Sequence, residues 1–260
     1  MQIDLTGRRV LVTGGNSGLG AAMVRAFGAA GAKVAVNYVS HPEEAAALVD
    51  ELKKAGGEAI ATEADVSDPA AVEAMFSAID TAWGGIDVLV NNAGIDGSRA
   101  LAWETDYAHW KKVLDINLGG AFLCARQALK RMIAQKSGVI LNTSSVHQVI
   151  AWSGYSAYAA SKAGLIMMAN TLAQEAAPYG VRVLCIAPGA VATRINADVW
   201  QDPKGLKDLL AKIPMGRVGQ PEDIANMAVV LASDVASYMT ATTVTIDGGM
   251  TDYPGFMHGG

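Results

Sequence analysis

Seven short runs rich in β-branched residues recur along the chain: RVLVTG, KVAVNY, EAIATEADV, IDVLVNNAG, GVILNTSS, VRVLCIAPG and TTVTIDGG. Several are apolar at successive positions rather than at alternate ones, the pattern of strands covered on both faces. Between them, GLGAAMVRAFGAAG, PEEAAALVDELKKAGG, PAAVEAMFSAIDTAWGG and SAYAASKAGLIMMANTLAQEAAPYG place apolar residues at helical spacing, and most close in Gly as a helix end does. This alternation predicts an α/β protein with a single doubly wound parallel sheet of about seven strands and helices on both faces. No linker, repeat or low-complexity stretch divides the chain, so one domain over residues 1–260 is expected. From Thr193 to about Val218 the rhythm breaks at Trp200, Pro203, Pro214 and glycines, which reads as a mobile flap over a ligand site.

Composition removes several function classes. With 51% hydrophobic residues the chain can bury a sizeable core. Twenty basic against twenty-five acidic side chains, with no basic run, exclude a phosphate-tracking nucleic-acid partner. No apolar stretch approaches the roughly 18 to 20 residues of a membrane helix, and MQIDLTGRRVLVTGG has no signal-peptide character. A soluble cytoplasmic protein without a membrane partner is therefore expected. Cys124 and Cys185 lie far apart in apolar runs and read as two buried thiols. Together with four scattered His they form no ligand cluster, so no metal is expected and a zinc-dependent alcohol dehydrogenase is disfavoured.

The first strand runs into TGGNSGLG, Thr13 to Gly20, which opens directly into a helix. Glycines there let the backbone turn tightly and approach a pyrophosphate at the helix N-terminus. Gly14, Gly18 and Gly20 are the spaced set, with Thr13, Asn16, Ser17 and Leu19 in the same turn. Where an Asp or Glu at the end of the second strand would bind the ribose of NAD, the chain has Asn37, Tyr38 and Val39. Nor is there an arginine for a 2′-phosphate, although Ser40 and His41 offer hydrogen bonds. The cofactor is thus NAD or NADP, with dual use the expectation. Asp65 and Val66 close the third run; Asp65 either meets the adenine amino group or caps the next helix, for which Asp68 is the better candidate. In NNAG, Asn91 to Gly94, the small Ala93 and Gly94 can lie beside a ribose, with Asn92 adjoining them.

These motifs together resemble the short-chain dehydrogenase/reductase family over essentially the whole chain. They are T-G-x-x-x-G-x-G at Thr13 to Gly20, N-N-A-G at Asn91 to Gly94, Y-x-x-x-K at Tyr158 to Lys162, and P-G at Pro188 and Gly189. The resemblance implies a Rossmann-like fold, NAD(P)-dependent oxidoreduction, and Asn117, Ser145, Tyr158 and Lys162 as the catalytic set. The flanking TSSVHQVIAW, IPMGRVGQPEDIA and DGGMTDYPGF are similar to bacterial glucose 1-dehydrogenases of that family.

Tyr158 and Lys162 stand four apart and share one helix face, whereas Tyr155 is nearly two turns from the lysine, so Lys162 serves Tyr158. Lowering a phenol from a pKa of about 10 to near 7 requires about 4 kcal/mol of preferential phenolate stabilisation. An ammonium about 4 Å away at an effective dielectric of about 20 supplies roughly that much; burial opposes it and the charge of an oxidised nicotinamide assists. Side chains alternate along a strand, so one of Ser144 and Ser145 faces the crevice; the family spacing selects Ser145, thirteen positions before Tyr158, and leaves Ser144 to support the backbone. Asn117 by itself reads as a polar residue that bends its helix. The resemblance assigns its amide to a water linking Lys162 to solvent, adds a nicotinamide-ribose contact to Lys162, and sets Pro188, Gly189, Val191 and Thr193 beside the nicotinamide.

For the substrate, Asp96, His147 and Asn196 are candidates to bind sugar hydroxyls near Ser145 and Tyr158, with Trp152 as an apolar wall. Glucose dehydrogenases tend to carry Glu at the position of Asp96, so the carboxylate here has a shorter reach. The leading expectation is oxidation of the anomeric hydroxyl of glucose or a related aldose to the lactone. The alternative is another substrate of the family: a polyol, a cyclic alcohol or a 3-oxoacyl thioester. A nucleotide-sensing binding module is disfavoured by the intact catalytic set. The apolar helices carrying Asn117 and Tyr158 point to a homotetramer, with the tail from Met250 to Gly260 at a subunit contact.

Overall fold

The computed structural model describes residues 3–193 and 197–252. Seven parallel strands, β1 (Arg9–Val12), β2 (Lys33–Tyr38), β3 (Ala59–Glu63), β4 (Val88–Asn91), β5 (Gly138–Thr143), β6 (Val181–Pro188) and β7 (Thr242–Ile246), lie in the order β3-β2-β1-β4-β5-β6-β7. Chain order reverses between β1 and β4, so the carboxyl ends of these two strands diverge into a crevice, the usual ligand position in such sheets.

Alternate strand residues feed two cores. Val10, Val12, Val34, Val36, Val88 and Val90 pack against α1 (Gly18–Ala29), α2 (Pro42–Lys54) and α9 (Pro221–Ala232). Leu11, Ala35, Leu89 and Ile140 pack against α3 (Pro69–Trp83), α5 (Ala121–Gln135) and α6 (Ser156–Ala176) on the other face. Burial on both faces is why the strand sequences are continuously apolar. α4 (Tyr107–Leu114) runs into a π-helical turn, Asp115–Gly120, before α5, and Asn117 lies within that irregular turn.

Among its described residues, the segment expected to be a mobile flap holds two short helices, α7 (Ala197–Trp200) and α8 (Pro203–Leu210). Pro203 does not break this segment. It occupies the first turn of α8, where no N–H is needed, and Asp202 caps that helix by accepting from Gly205 N at 2.7 Å. The excursion is closed at its base by a bridge between Val191 and Gly219. Among the described residues no helix is long and apolar enough to cross a membrane.

Candidate active site

The ends of β1 and β4 are laced together by Thr13. Its Oγ1 accepts from Asn92 N (2.9 Å) and Ala93 N (3.0 Å) and donates to Val90 O (3.3 Å). The Asn92 amide returns hydrogen bonds to Thr13 O and Gly14 O. Gly14 has φ +59°, and a Cβ there would lie 3.1 Å from Ala93 Cα. A Cβ on Gly20 would run into the Gly14 carbonyl oxygen, so α1 starts in direct contact with the turn. Ser17 precedes α1 without a side-chain cap, leaving the first-turn N–H groups of Gly18, Leu19 and Gly20 without intrahelical acceptors. That backbone cradle at a helix N-terminus fits the phosphates of a dinucleotide. Asn16 ties it to the end of β2 by donating to Ser40 O at 2.8 Å, and Thr193 borders Gly18 from the opposite side.

Asn37, at the strand end where a ribose-binding carboxylate would stand, turns its side chain to the backbone. It is buried; its Oδ1 accepts from Gly14 N (3.1 Å), while its Nδ2 donates to Ala64 O (3.0 Å) and Thr62 O (3.3 Å). The side chain therefore braces the glycine turn against the β3 loop. Tyr38 is half-buried against the α1–α2 core. Asp65 is exposed and holds its own loop through Ser67 N at 2.8 Å, and Asp68 caps α3 as expected. Val66 is buried beneath Gly120 of the π turn.

Ser145 lies just past β5, where its Oγ accepts from His147 N at 3.1 Å, and its hydroxyl is near enough to Tyr158 to favour the phenolate against burial. Ser144 is turned inward and donates to Lys162 O on α6 at 3.0 Å. Lys162, 5% exposed, donates to Thr143 O at 2.8 Å, and its Nζ lies 5.6 Å from the centre of the Tyr158 ring. Burial lowers the ammonium to about 8, with Asp96 opposing.

Here the electrostatic expectation is corrected. Burial, reinforced by the Asp96 charge and opposed by the Ser145 hydrogen bond, pushes Tyr158 up to about 12 in the protein alone. The ammonium sits over the ring and on a carbonyl rather than at the phenol oxygen, so desolvation wins.

Asn117 is held by protein on both sides of its amide. Its Oδ1 accepts from Ile95 N (2.8 Å) and its Nδ2 donates to Ile95 O (2.9 Å) and Ser161 Oγ (3.1 Å). The amide clamps the loop after β4 onto α6, and Oδ1 keeps a second acceptor position beyond the Ile95 hydrogen bond. Ser161, absent from the sequence-derived set, completes the clamp by donating to Tyr158 O at 2.7 Å; its position one residue before Lys162 on the sheet-facing side of α6 was the available signal. The site is continuous with the glycine turn, since Ala93 adjoins Gly14 and a Cβ on Gly94 would lie 3.5 Å from Lys162 Nζ.

Trp152 is the middle ring of a stack, with His147 at 4.3 Å and Tyr155 at 3.9 Å, and it turns its edge toward Tyr158 at 5.8 Å. The apolar wall expected of Trp152 alone is thus a three-ring unit. His147 Nδ1 lies 3.0 Å from Ile150 O, which fixes the proton there and leaves Nε2 as an acceptor; burial lowers its basicity. Asp96 is half-buried, and burial raises its carboxyl against the charges of Lys162 and His147. Asn196 lies outside the described residues. Pro188 ends β6; a Cβ on Gly189 would lie 2.6 Å from Asp247 Cβ; Val191 is buried in the bridge to Gly219; and Thr193 O accepts from Trp200 Nε1 at 3.1 Å. Both cysteines are free and buried, and among the described residues no three His, Cys, Asp or Glu gather as a metal site.

A doubly wound parallel sheet with a glycine cradle at its switch point and a Ser-Tyr-Lys centre beside it defines a dinucleotide-dependent oxidoreductase. Residues 14–251 match a family model described as enoyl-(acyl carrier protein) reductase, and the chain belongs to the short-chain dehydrogenase/reductase family. It is 48% identical over 260 residues to 3beta-hydroxysteroid dehydrogenase 1 of Eggerthella lenta, covering 100% of this chain and 99% of that protein. It is 42% identical to glucose 1-dehydrogenase 2 of Bacillus subtilis, covering 98% of each. The solved structure of levodione reductase is similar with a TM-score of 0.89 and 39% identity, covering 95% of this chain and 98% of that one.

Proposed function

We propose that the chain is a dehydrogenase that moves hydride between NAD and a carbon bearing a secondary hydroxyl on a ring. The observation that carries this reading is the meeting of Ser145, Tyr158 and Lys162 beside the glycine turn. When bound, the nicotinamide supplies the hydride acceptor and, oxidised, a positive charge. Tyr158 takes the hydroxyl proton, and Ser145 Oγ donates to the same oxygen as negative charge grows on it. Lys162 holds a cation near the Tyr158 ring which, together with the positive charge an oxidised nicotinamide would bring, would offset the burial that raises the phenol, and Asn117 and Ser161 keep α6 and the loop after β4 in register around it.

Oxidation of the anomeric hydroxyl of glucose or another aldose is one form of this reaction, supported by the glucose 1-dehydrogenase relative and by Asp96. Oxidation of an alicyclic alcohol is the other. It is supported by the 3beta-hydroxysteroid dehydrogenase and levodione reductase likenesses and by the His147–Trp152–Tyr155 stack, which suits an apolar ring face. Segments 39–44 and 64–68, which flank the expected ribose position, carry Glu43, Glu44, Asp65 and Asp68 and no Lys or Arg. A 2′-phosphate finds no Lys or Arg on them and only the hydrogen bonds of Ser40 and His41, so both cofactors are used, with kcat/KM for NAD the higher. The reading includes a cytoplasmic homotetramer assembled through α5 and α6.

The test is the appearance of reduced cofactor with glucose, galactose, xylose, cyclohexanol, the cyclohexanediols, a 3β-hydroxysteroid, ribitol and a 3-hydroxyacyl thioester, each with NAD and NADP. Turnover of ring alcohols with NAD supports the proposal. Turnover confined to ribitol or the thioester overturns it.

A further inference from the structure

Residues Ile95–Ala100 leave β4 with no helix or strand of their own, yet they are fastened at three points. Asn117 holds both the N–H and the carbonyl of Ile95. Ala100 N donates to Gly154 O at 3.1 Å. Between these anchors, Ser98 N donates to Nε2 of His109 at 2.8 Å. A backbone N–H can only donate, so Nε2 is the acceptor in this contact. Gly97, at φ +78°, packs onto the same ring: a Cβ there would lie 3.0 Å from His109 Nε2 and 2.9 Å from Val113. The loop is pressed onto α4 with no room for a side chain at that position.

Asp96 stands between the Asn117 and His109 fastenings. None of the described residues donates a hydrogen bond to its carboxylate, and it shares a recess with His109, Trp110 and Tyr155, the last being the outer ring of the aromatic stack. An aspartate has one methylene of reach, so the backbone has to aim it. We infer that His109 is a positioning residue: by accepting from Ser98 it fixes where the Asp96 carboxylate meets a second hydroxyl on the substrate ring. This rests on the ring-alcohol reading above. His109 touches neither Tyr158 nor Lys162 and acts through the loop.

The experiment compares wild type, His109→Ala and His109→Gln, the last offering an amide oxygen as replacement acceptor. His109→Leu fills the same space without an acceptor and serves if the alanine variant does not fold. Removing the acceptor is expected to lower hydrogen-exchange protection of the Ser98 amide about tenfold, the scale of one lost hydrogen bond. It is also expected to raise KM for a cyclohexanediol about tenfold while leaving KM for cyclohexanol and for NAD, and kcat, within about twofold. His109→Gln restores both readouts. Unchanged Ser98 protection in His109→Ala overturns the clamp. A KM change equal for the diol and the mono-alcohol, or shared by NAD, overturns the positioning role. The exchange readout needs no substrate, so a wild type inactive on every ring alcohol with an intact Ser98 clamp marks failure of the proposed reaction, and the positioning role falls with it while the clamp stands.

Discussion

Lys162 gives up water for a single carbonyl, that of Thr143, and remains 5% exposed. Such burial disfavours the charged form, which is why its ammonium is lowered to about 8 from an ordinary 10.5. Between those two values the unfolded chain binds the proton and the folded one does not, so stability rises with pH across that window and the full penalty applies below it. Lys162→Met is therefore expected to be inactive yet more stable than wild type by roughly 1–3 kcal/mol at neutral pH. That advantage should shrink as pH rises from about 8 to 10.5. Urea unfolding of both proteins across that range checks it, and a constant difference contradicts it. The pairing of Tyr158 with Lys162 was legible from their four-residue spacing. The outcome of the pairing was not, because spacing fixes a helix face but says nothing of the depth at which that face is buried.

At the scale of elements, the glycine turn depends on Asn37, a side chain of β2. Asn37→Ala removes the acceptor for Gly14 N and the donor to Ala64 O in a site only 2% exposed. It is expected to cost about 2–4 kcal/mol, the range for a buried network left with unpaired groups, and to weaken NAD binding with it. Thermal unfolding and NAD titration measure the two effects; an unchanged Tm contradicts the bracing role. The strands were legible because two-sided burial writes itself as uninterrupted Val, Ile and Leu. Asn37 was legible as a residue at the right strand end but not by role, since its partners are backbone atoms 23 to 27 positions away. α7 and α8 escaped because Pro203 and Gly205 look like breakers unless the helix is known to start at the proline.

On the scale of the molecule, the two faces of the sheet are covered by separate cores, and the crevice between β1 and β4 remains as the place where phosphate cradle and Ser-Tyr-Lys centre meet. The cover is incomplete on the outer side. Phe122 of α5 is 46% exposed and Met167 of α6 is 66% exposed, which fits helices that pair with a second copy. Sedimentation velocity at micromolar concentration is expected to give the mass of four 26.9 kDa chains, and a single 26.9 kDa species contradicts the tetramer.

The central claim is that Tyr158 takes the proton as hydride leaves the substrate. Its most direct test is the formation of reduced nicotinamide by Tyr158→Phe with saturating NAD and the best ring alcohol. The variant should bind NAD as wild type does and turn over at least about a thousandfold more slowly, within the usual range for a lost general base. Turnover at the wild-type rate would contradict the mechanism.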